Sequence, residues 1–297
     1  MLTYNHERYL AQAIESVLEQ KTGFDVELLI ADDCSKDRTA EIARSYQKRF
    51  SNILYLRSDR NRGMYQNLAK IYYRARGEYL AFLEGDDFWL SPDKLKMQVD
   101  HLDANPAVSL CFHAVRLVEN GTFTGDTFPK LPRGNVTFEK LLVENWVPTC
   151  SAVFRQSALP AIPSWCSEVP LLDWPLFLLM AEKGRVRYLP GELSAYRLHS
   201  SGVWSQLPRQ RKSELMIQVL QTIKQHLPAE YIQRINQRIS ELYQHIAWCC
   251  EEQDAIDEAL AASWRAVATS SFTRIDPATR CLRLALKASS PRWLGNA

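Results

Sequence analysis

The 297-residue sequence lacks the features that mark nucleic-acid-binding, membrane-spanning and secreted proteins. Its 36 Lys and Arg residues nearly balance its 34 Asp and Glu residues, so the net charge of +2 creates no strong field to attract nucleic acid. No apolar run approaches the roughly 20 residues that span a bilayer, and the first residues do not form a signal peptide. We therefore expect a cytoplasmic protein with no transmembrane segment and no nucleic-acid partner.

Cysteine is present but sparse and unpatterned. The seven cysteines are an odd number and include no Cys-x-x-Cys pair, so the sequence predicts neither a disulfide framework nor a structural zinc site. The apolar fraction of 46% and the charged fraction of 24% are ordinary for a globular protein. The length suits one large domain with a smaller addition.

The first 120 residues alternate helical and strand patterns, which predicts a mostly parallel sheet. Asn5 is a candidate cap for a helix that starts near Leu10. The pattern from Val108 to Trp204 predicts shorter strands that extend the same sheet in antiparallel fashion. The remainder has helical periodicity almost throughout. We therefore expect a domain over 1–204 and an α-helical extension over 205–297.

Acidic side chains follow two of the predicted parallel strands. Asp32 and Asp33 end the first strand, and Glu84, Asp86 and Asp87 end another. Open α/β sheets bind ligands in the crevice at the carboxyl ends of their strands. Grouped carboxylates repel one another, and a divalent cation such as Mg²⁺ or Mn²⁺ would relieve the repulsion and could hold a diphosphate. The alternative is a solvated turn with acidic helix caps.

Several motifs, in this order, resemble the inverting family-2 glycosyltransferases. They are TYNHERYLAQAIESVLEQ, LLIADDCSKDRT, NRG, YLAFLEGDDFW, LLDWPLFLLMAEKG and YRLHSSGVWS, which together cover roughly residues 2–204. The resemblance implies the GT-A fold, a Rossmann-like mixed sheet flanked by helices. It also implies an enzyme that transfers a sugar from a nucleotide-sugar donor in polysaccharide or surface-glycan biosynthesis.

The resemblance also implies the residues that bind the nucleotide sugar. Asp33 matches the carboxylate that recognises a uracil N–H, for which an acceptor-only group is the right partner. Arg62 could meet a phosphate, or it could be an exposed loop arginine, and Arg197 could neutralise the leaving phosphate. The implied nucleotide-sugar-binding residues are Thr3, Tyr4, Asp33, Arg62, Glu84, Asp86 and Arg197.

A divalent metal, Mn²⁺ or Mg²⁺, is the implied cofactor. Asp86 and Asp87 match the DxD-like motif of the family, and His199 matches a histidine that contacts metal or diphosphate. Glu84 stands where an Asp is usual, so we expect only a supporting contact from its longer side chain. His6 matches no ligand position of the family.

Asp173 matches the general base of the family, although Leu172 stands where the family usually has Glu. The implied task is to accept the proton of the acceptor hydroxyl as its oxygen attacks the anomeric carbon, in one displacement that inverts configuration. The alternative role is a helix N-cap ahead of Trp174 and Pro175, and the two roles are compatible.

The opening of the chain departs from the family. Members normally have an apolar strand immediately before the TYN segment, whereas only Met1 and Leu2 precede it here. We therefore expect a missing or truncated central strand. Either the true start lies upstream, or this form is impaired and serves as an inactive nucleotide-binding scaffold. A phosphatase is disfavoured because no early strand carries a DxDxT arrangement.

The last 34 residues are basic, with six Lys or Arg residues and one acid. Two interpretations remain open: a solvated helical face, or a peripheral contact with the inner face of an anionic membrane. The second would suit a lipid-linked glycan acceptor. Our leading hypothesis is a transferase that moves a sugar from a donor, expected to be a UDP-sugar, to a hydroxyl of a glycan or lipid-linked acceptor.

Overall fold

The computed structural model describes residues 1–130, 134–269 and 276–289. The chain divides into two compact units. The first unit comprises Met1–Ser167 and Leu172–Gly202, and the second comprises Glu168–Leu171 and Val203–Ala297.

The first unit is a mixed α/β structure, as the sequence predicts. Its strands are β1 (Leu2–Thr3), β2 (Leu28–Asp32), β3 (Ile53–Arg57), β4 (Tyr79–Ala81), β5 (Phe88–Trp89), β6 (Val108–Glu119), β7 (Thr122–Phe128), β8 (Gly134–Val136), β9 (Val153–Arg155) and β10 (Arg185–Leu198). Its helices are α1 (Leu10–Leu18), α2 (Thr39–Arg49), α3 (Met64–Tyr72), α4 (Lys94–Ala104), α5 (Phe138–Val143) and α6 (Asp173–Lys183).

The strands form two sheets within this unit. In the first sheet, β2 lies between β1 and β3, and all three strands are parallel. The second sheet has the order β4-β9-β6-β10-β5, with β7 beside β6 and β8 beside β10. The expected antiparallel extension is therefore only partly right, because the long strands β6 and β10 run parallel to each other. The parallel pairing places the end of β10 beside the end of β6.

The first strand is short, as expected, and it bridges the two sheets. β1 contains only Leu2 and Thr3, and it pairs with β2 through Leu2 opposite Ala31. On its other side Leu2 forms an isolated parallel bridge with Glu84, just beyond β4. The carboxyl ends of β1, β2 and β4 therefore meet at one edge, which places the motif loops that follow them together.

Apolar side chains at helical and strand spacing form the core. Leu10, Ile14 and Val17 of α1 are buried, and so is Ile30 of β2. Trp174 on α6 is also buried, and its indole N–H donates to the Leu141 carbonyl. This packing fixes the first turn of α6, where Asp173 lies.

The prediction of Asn5 as a helix cap is wrong. Helix α1 begins at Leu10, and its N-cap residue, Tyr9, makes no side-chain capping hydrogen bond. The Asn5 side chain instead accepts a hydrogen bond from the backbone N–H of Lys36, at 2.8 Å. Asn5 adopts a positive φ of 56°, a conformation that Asn tolerates better than most residues.

The second unit contains the predicted C-terminal helices. They are α7 (Arg209–Ile223), α8 (Ile232–Glu252), α9 (Ile256–Thr269) and α10 (Asp276–Ser289). Ile235, Ile239 and Leu242 form a buried stripe on α8, and the Ser240 hydroxyl donates to the Ala266 carbonyl of α9 at 2.8 Å. Among the described helices, none has both the length and the apolar character needed to cross a bilayer. Of the basic C-terminal segment, residues 270–275 and 290–297 lie outside the described residues.

Candidate active site

Two motif loops are joined through backbone groups at the sheet edge. The backbone N–H of Asn5 donates to the Ser35 hydroxyl at 2.9 Å, and the Asn5 side chain accepts from Lys36 at 2.8 Å. The backbone N–H of His6 donates to the Thr39 hydroxyl at 2.8 Å. The TYNHE and DDCSKDRT segments therefore form one structural unit, although 30 residues separate them in the chain.

Asp32 stabilises the joined loops through its own hydrogen bonds. Its buried carboxylate accepts from the Ser35 backbone N–H at 2.8 Å and from the Tyr55 hydroxyl at 2.6 Å. Burial and the hydrogen bond to Asp32 raise the pKa of Tyr55 well above its usual value, so Tyr55 stays a donor. Asp32 is therefore an acceptor within the turn that follows β2.

Asp33 organises the loop that contains the NRG motif. One carboxylate oxygen accepts from the backbone N–H of Arg62 at 2.8 Å, and the other accepts from Gly63 at 2.9 Å. The Arg62 guanidinium pairs with Asp59, also at 2.8 Å. The expected uracil contact of Asp33 and phosphate contact of Arg62 stay predictions, and each would have to coexist with these hydrogen bonds.

The acidic loop after β4 brings Asp86 to two histidines. A carboxylate oxygen of Asp86 lies 3.0 Å from Nε2 of His199 and 3.6 Å from Nε2 of His6. Burial lowers the pKa of His6, while the nearby Asp86 charge opposes that shift. Sequence reasoning missed His6, although the meeting of the β1 and β4 loops at one sheet edge could have indicated it.

Asp87 points in a different direction from its neighbour. It is only 2% exposed, and its carboxylate accepts from the backbone N–H of Arg197 at 2.8 Å. Burial raises the pKa of Asp87 well above its usual value, and the charges of Asp86 and Glu84 add to the shift. The expectation that Asp87 binds metal stays a prediction.

The Arg197 side chain also contacts the acidic loop. Its guanidinium donates to the backbone carbonyl of Asp86 and to the side chain of Gln12. It also lies over the rings of Phe88 and Tyr9, at 4.4 Å and 5.0 Å from their centroids. The cation is therefore held close to the acids, where a leaving phosphate could meet it.

Thr3 and Gly85 form a close contact between β1 and the acidic loop. Thr3 is buried and its hydroxyl has no hydrogen-bond partner, whereas Tyr4 is 39% exposed. A Cβ atom added at Gly85 would lie 2.7 Å from the Thr3 hydroxyl oxygen and 2.9 Å from Nδ1 of His6. Only glycine allows this approach.

Asp173 begins helix α6 and faces the acidic loop. Its carboxylate accepts from the Asn145 side-chain amide at 2.8 Å and from the Thr149 hydroxyl at 3.3 Å. Burial raises the pKa of Asp173, while these hydrogen bonds partly offset the shift. The sequence indicated neither Asn145 nor Thr149, because both lie in an irregular segment with no recognisable motif.

Glu84 is the first acid of the acidic loop, and it lines the same cavity as Asp173. One of its oxygens is buried with no hydrogen-bond partner, at the wall of a cavity that Asp173 also lines. Burial raises the pKa of Glu84 to about 8, and the charges of Asp86 and Asp173 contribute. Burial therefore favours the protonated form of Glu84.

The donor set at Asp86 suits a hard divalent cation. The Asp86 carboxylate is an oxygen donor of the kind that Mg²⁺ and Mn²⁺ prefer, and Nε2 of His199 is a second donor atom, at hydrogen-bond distance from it. Within residues 1–130, 134–269 and 276–289, no group of three or more His, Cys, Asp or Glu side chains forms a preformed cage. Mg²⁺ and Mn²⁺ sites commonly use one or two protein ligands and complete the shell with phosphate and water. The residues present therefore fit such an ion.

The sequence matches one protein family, and two related proteins are informative. The family described as glycosyl transferase family 2 matches residues 1–162. An uncharacterised protein of Mycobacterium tuberculosis is 36% identical over 205 residues, which are 68% of this chain and 59% of that protein. TuaG of Bacillus subtilis, provisionally named a teichuronic acid biosynthesis glycosyltransferase, is 30% identical over 208 residues, 68% of this chain and 79% of TuaG. The chain thus spans about three fifths of the length of the mycobacterial relative.

Comparison of structures gives two informative neighbours. Residues 1–349 of TarS from S. aureus, in complex with UDP, align with a TM-score of 0.62 and 18% identity over 95% of this chain and 87% of that one. The mannosyltransferase PcManGT from Pyrobaculum calidifontis, in complex with GDP-Man and Mn²⁺, aligns with a TM-score of 0.59 and 18% identity over 98% of this chain and 79% of that one. At these identities the likeness shows the fold.

Proposed function

The chain belongs to glycosyl transferase family 2 and has the GT-A fold, and from these premises we propose that it transfers a sugar from a nucleotide-sugar donor to an acceptor hydroxyl with inversion of configuration. The observation that carries the proposal is Asp173. It is a carboxyl group with a raised pKa, held by two side chains and facing the acidic loop. A pKa shifted towards neutrality by burial is a common property of catalytic acids and bases.

The proposed donor is a UDP-sugar. Asp33 directly follows β2 beside the joined loops, and a carboxylate is a suitable acceptor for the uracil N–H. Thr3 ends β1 and Tyr4 follows it at the same edge, where both would lie against the base. Arg62 lies in the loop that Asp33 organises. The UDP complex of TarS shows that this fold accommodates UDP in that protein.

The proposed cofactor is Mn²⁺ or Mg²⁺, bound by Asp86 and His199. When bound, such an ion would neutralise the diphosphate leaving group. The PcManGT complex contains Mn²⁺ in a protein of the same fold. Arg197 lies beside Asp86, and we assign it to the same diphosphate.

Asp173 is the proposed general base. The bond from the sugar C1 to the diphosphate oxygen breaks as the acceptor oxygen attacks C1 from the opposite face. The acceptor proton passes to Asp173, and the nucleoside diphosphate carries away the bonding electron pair. Asn145 and Thr149 hold the carboxylate in place, since each donates a hydrogen bond to the same oxygen.

The proposed acceptor is a hydroxyl of a glycan or lipid-linked glycan. TuaG, which is 30% identical to this chain, carries a name that refers to teichuronic acid biosynthesis.

The test is donor turnover with UDP-sugars and Mn²⁺ in the wild-type chain, in Asp173→Asn and in Glu182→Gln. Glu182 is exposed on the same helix, so Glu182→Gln is the matched control. We expect Asp173→Asn to lower kcat by about 10²–10⁴-fold while UDP binding stays within about twofold, and we expect Glu182→Gln to be unchanged. Retained turnover in Asp173→Asn would reject Asp173 as the base.

A second candidate is an inactive nucleotide-binding scaffold. The departure at Leu172, which stands where the family usually has Glu before the base, favours it. In the same experiment, UDP binding without turnover of any donor would support the scaffold over the transferase.

A further inference from the structure

The start of α1 contacts the end of β10. The backbone N–H groups of Tyr9 and Leu10 both donate to the His6 carbonyl at 2.9 Å, and the Leu10 side chain is fully buried, so this turn is held in place. Residues three apart lie on the same face of a helix. Tyr9 and Gln12 therefore share a face, and both contact the Arg197 side chain.

Four groups hold the Arg197 guanidinium in one orientation. Its central carbon lies 4.4 Å from the centroid of the Phe88 ring and 5.0 Å from that of the Tyr9 ring. Its terminal nitrogens donate to the Gln12 side chain and to the Asp86 carbonyl. These bonds use two of the five N–H donors of an arginine. An arginine that is already ordered loses less conformational entropy when a phosphate binds to its other donors.

The Tyr9 ring also contacts His199. The centroids of the two rings are 4.9 Å apart, and the His199 side chain is only 10% exposed. Nδ1 of His199 lies 2.8 Å from the Ser201 hydroxyl, while Nε2 lies 3.0 Å from the Asp86 carboxylate. Histidines that bind metals are commonly oriented through their other ring nitrogen. Ser201 and Tyr9 together therefore fix the ring whose Nε2 is directed at Asp86.

Tyr9 links Arg197 and His199 through its ring. Both contacts are made by the ring, so phenylalanine at this position would keep them. Tyr9 is half-buried, and an aliphatic side chain would fill much of the same space without offering a π face to the guanidinium. The contact with Arg197 therefore depends on an aromatic residue, whereas simple packing does not.

We propose that Tyr9 is a positioning residue for the diphosphate of the donor and for its metal ion. The ring orders Arg197 and His199 before the donor binds, and Gln12 supports Arg197 beside it. The inference rests on the proposed function, because Arg197 and His199 are the side chains assigned there to the diphosphate and to the ion. Contacts that orient a metal ligand from outside commonly change metal affinity by about 10–100-fold.

The proposal separates the two ends of the donor. Tyr9 acts through Arg197 and His199 on the diphosphate end, whereas Thr3 and Asp33 are proposed to bind the base. Loss of the Tyr9 ring should therefore weaken the binding of a nucleoside diphosphate and leave the binding of the nucleoside unchanged. A residue that only maintained the fold would affect both ligands alike.

The test measures the Kd of UDP and of uridine, each with Mn²⁺, for the wild-type chain, Tyr9→Leu and Tyr9→Phe. We expect Tyr9→Leu to raise the Kd of UDP by about tenfold and to change the Kd of uridine by less than about twofold. Tyr9→Phe keeps the ring and should restore the Kd of UDP to within about twofold of wild type. Tyr73→Leu is the matched control, because Tyr73 is 61% exposed and lies outside the candidate site, and it should change neither Kd.

Three outcomes would overturn the proposal. A Kd of UDP that is the same in Tyr9→Leu and wild type would show that the ring does not order the diphosphate site. An equal loss of UDP and uridine binding would assign Tyr9 to the fold alone. A Tyr9→Phe variant as weak as Tyr9→Leu would make the hydroxyl, and not the ring, responsible.

Failure of the proposed function would look different, because it would be seen in the wild-type chain. If wild type binds GDP more tightly than UDP, the proposed donor is rejected, and the same comparison with GDP and guanosine still tests Tyr9. Wild type that binds no nucleoside diphosphate would reject the proposed function and the role of Tyr9 together.

Discussion

Adjacent side chains in the acidic loop have separate tasks. Asp86 points to His199 and His6, while Asp87 points to the backbone of β10 and is buried. Glu84 faces the cavity and Asp173. One loop thus contributes a candidate metal ligand, a structural acceptor and a carboxyl whose pKa burial raises, and substitutions along it should have distinct effects.

Gly85 provides a test of the close approach between β1 and this loop. We expect Gly85→Ala to destabilise the fold by about 1–3 kcal/mol, because the new methyl group would overlap the Thr3 hydroxyl at 2.7 Å. Gly23→Ala is the matched control, since nothing lies within 4 Å of an added Cβ there. Urea denaturation measures both, and equal stabilities of the two variants would contradict the geometry.

Lys94 is a buried cation outside the candidate site. It is 0% exposed, its Nζ has no hydrogen-bond partner, and it lies 4.3 Å from the centroid of the Trp89 ring. Burial lowers the pKa of Lys94 to about 7. Three titratable groups face Lys94: Cys111 and Cys150, whose thiol pKa values burial raises, and His113, whose pKa burial lowers to about 3.

The lowered pKa of Lys94 predicts a pH-dependent stability. Between its folded pKa of about 7 and its usual value of 10.5, the unfolded chain binds more protons than the folded chain. The wild-type free energy of unfolding should therefore rise with pH in this window by up to about 1.4 kcal/mol per unit from this group. Below about pH 7 the destabilisation is complete.

Lys94→Met should remove this dependence. We expect the variant to be more stable than wild type by about 2–5 kcal/mol at pH 7, with the difference shrinking as pH rises towards 9.5. Lys96→Met, on the exposed face of the same helix, is the control and should change stability by less than about 0.5 kcal/mol. A pH-independent difference between Lys94→Met and wild type in urea denaturation would refute the assignment.

At the residue scale, ordered motifs predicted the acids but not their partners. Asp86 and His199 were both predicted as ligands, and a carboxylate oxygen of Asp86 lies 3.0 Å from Nε2 of His199. The contacts of His6 with Asp86 and of Asn145 with Asp173 were not predicted. A motif marks residue types that are close in sequence. A partner from another loop depends on the path of the whole backbone, which the motif does not encode.

At the scale of elements, hydrogen bonds join the loop after β1 to the loop after β2, and together these loops form the edge of the sheet. Thr39 is buried at the start of α2, and its hydroxyl accepts the N–H of His6. This bond ties the loop after β1 to the helix after β2. Its loss should loosen His6 beside Asp86.

Thr39→Val tests this support with almost no change in volume. We expect a loss of about 1–3 kcal/mol, because the buried N–H of His6 loses its acceptor. Thr39→Ser keeps the oxygen and should lose about 1 kcal/mol or less. Chemical denaturation and amide exchange at His6 provide the readout, and a Ser variant as unstable as the Val variant would point to the methyl group instead.

Helix and strand positions followed from periodicity, whereas their ends did not. Helix α1 lies where the spacing of Leu10, Ile14 and Val17 predicts it. The predicted cap, Asn5, does not bond to this helix, because its side chain accepts a hydrogen bond from the backbone N–H of Lys36. A residue caps a helix when its side chain bonds to the first backbone N–H groups of that helix. A local sequence pattern cannot show that a backbone group 31 residues away will bond to the same side chain.

At the scale of the whole molecule, ligand binding should be visible as a change in stability. A ligand at 100 times its Kd stabilises the folded state by about 2.7 kcal/mol, which corresponds to a Tm rise of roughly 5 °C. We expect UDP with Mn²⁺ to give this rise, and Asp86→Asn to lose the part that depends on Mn²⁺. A larger rise with GDP than with UDP would reject the proposed uracil recognition.

The alternation of helix and strand and the order of the motifs were enough to predict the α/β class, the GT-A fold and the helical extension. They also predicted that β1 would be short. They did not predict the parallel pairing of β6 with β10, since registry between distant strands depends on contacts across the whole sheet.

The contact between Asp87 and Arg197 uses the main-chain nitrogen of Arg197. Any residue except proline supplies that nitrogen, so evolution could replace the arginine without cutting the link between the acidic loop and the last strand. The backbone link is therefore independent of the guanidinium, which we assign to the diphosphate. Homologues with different side chains at this position should therefore still bury the same acid.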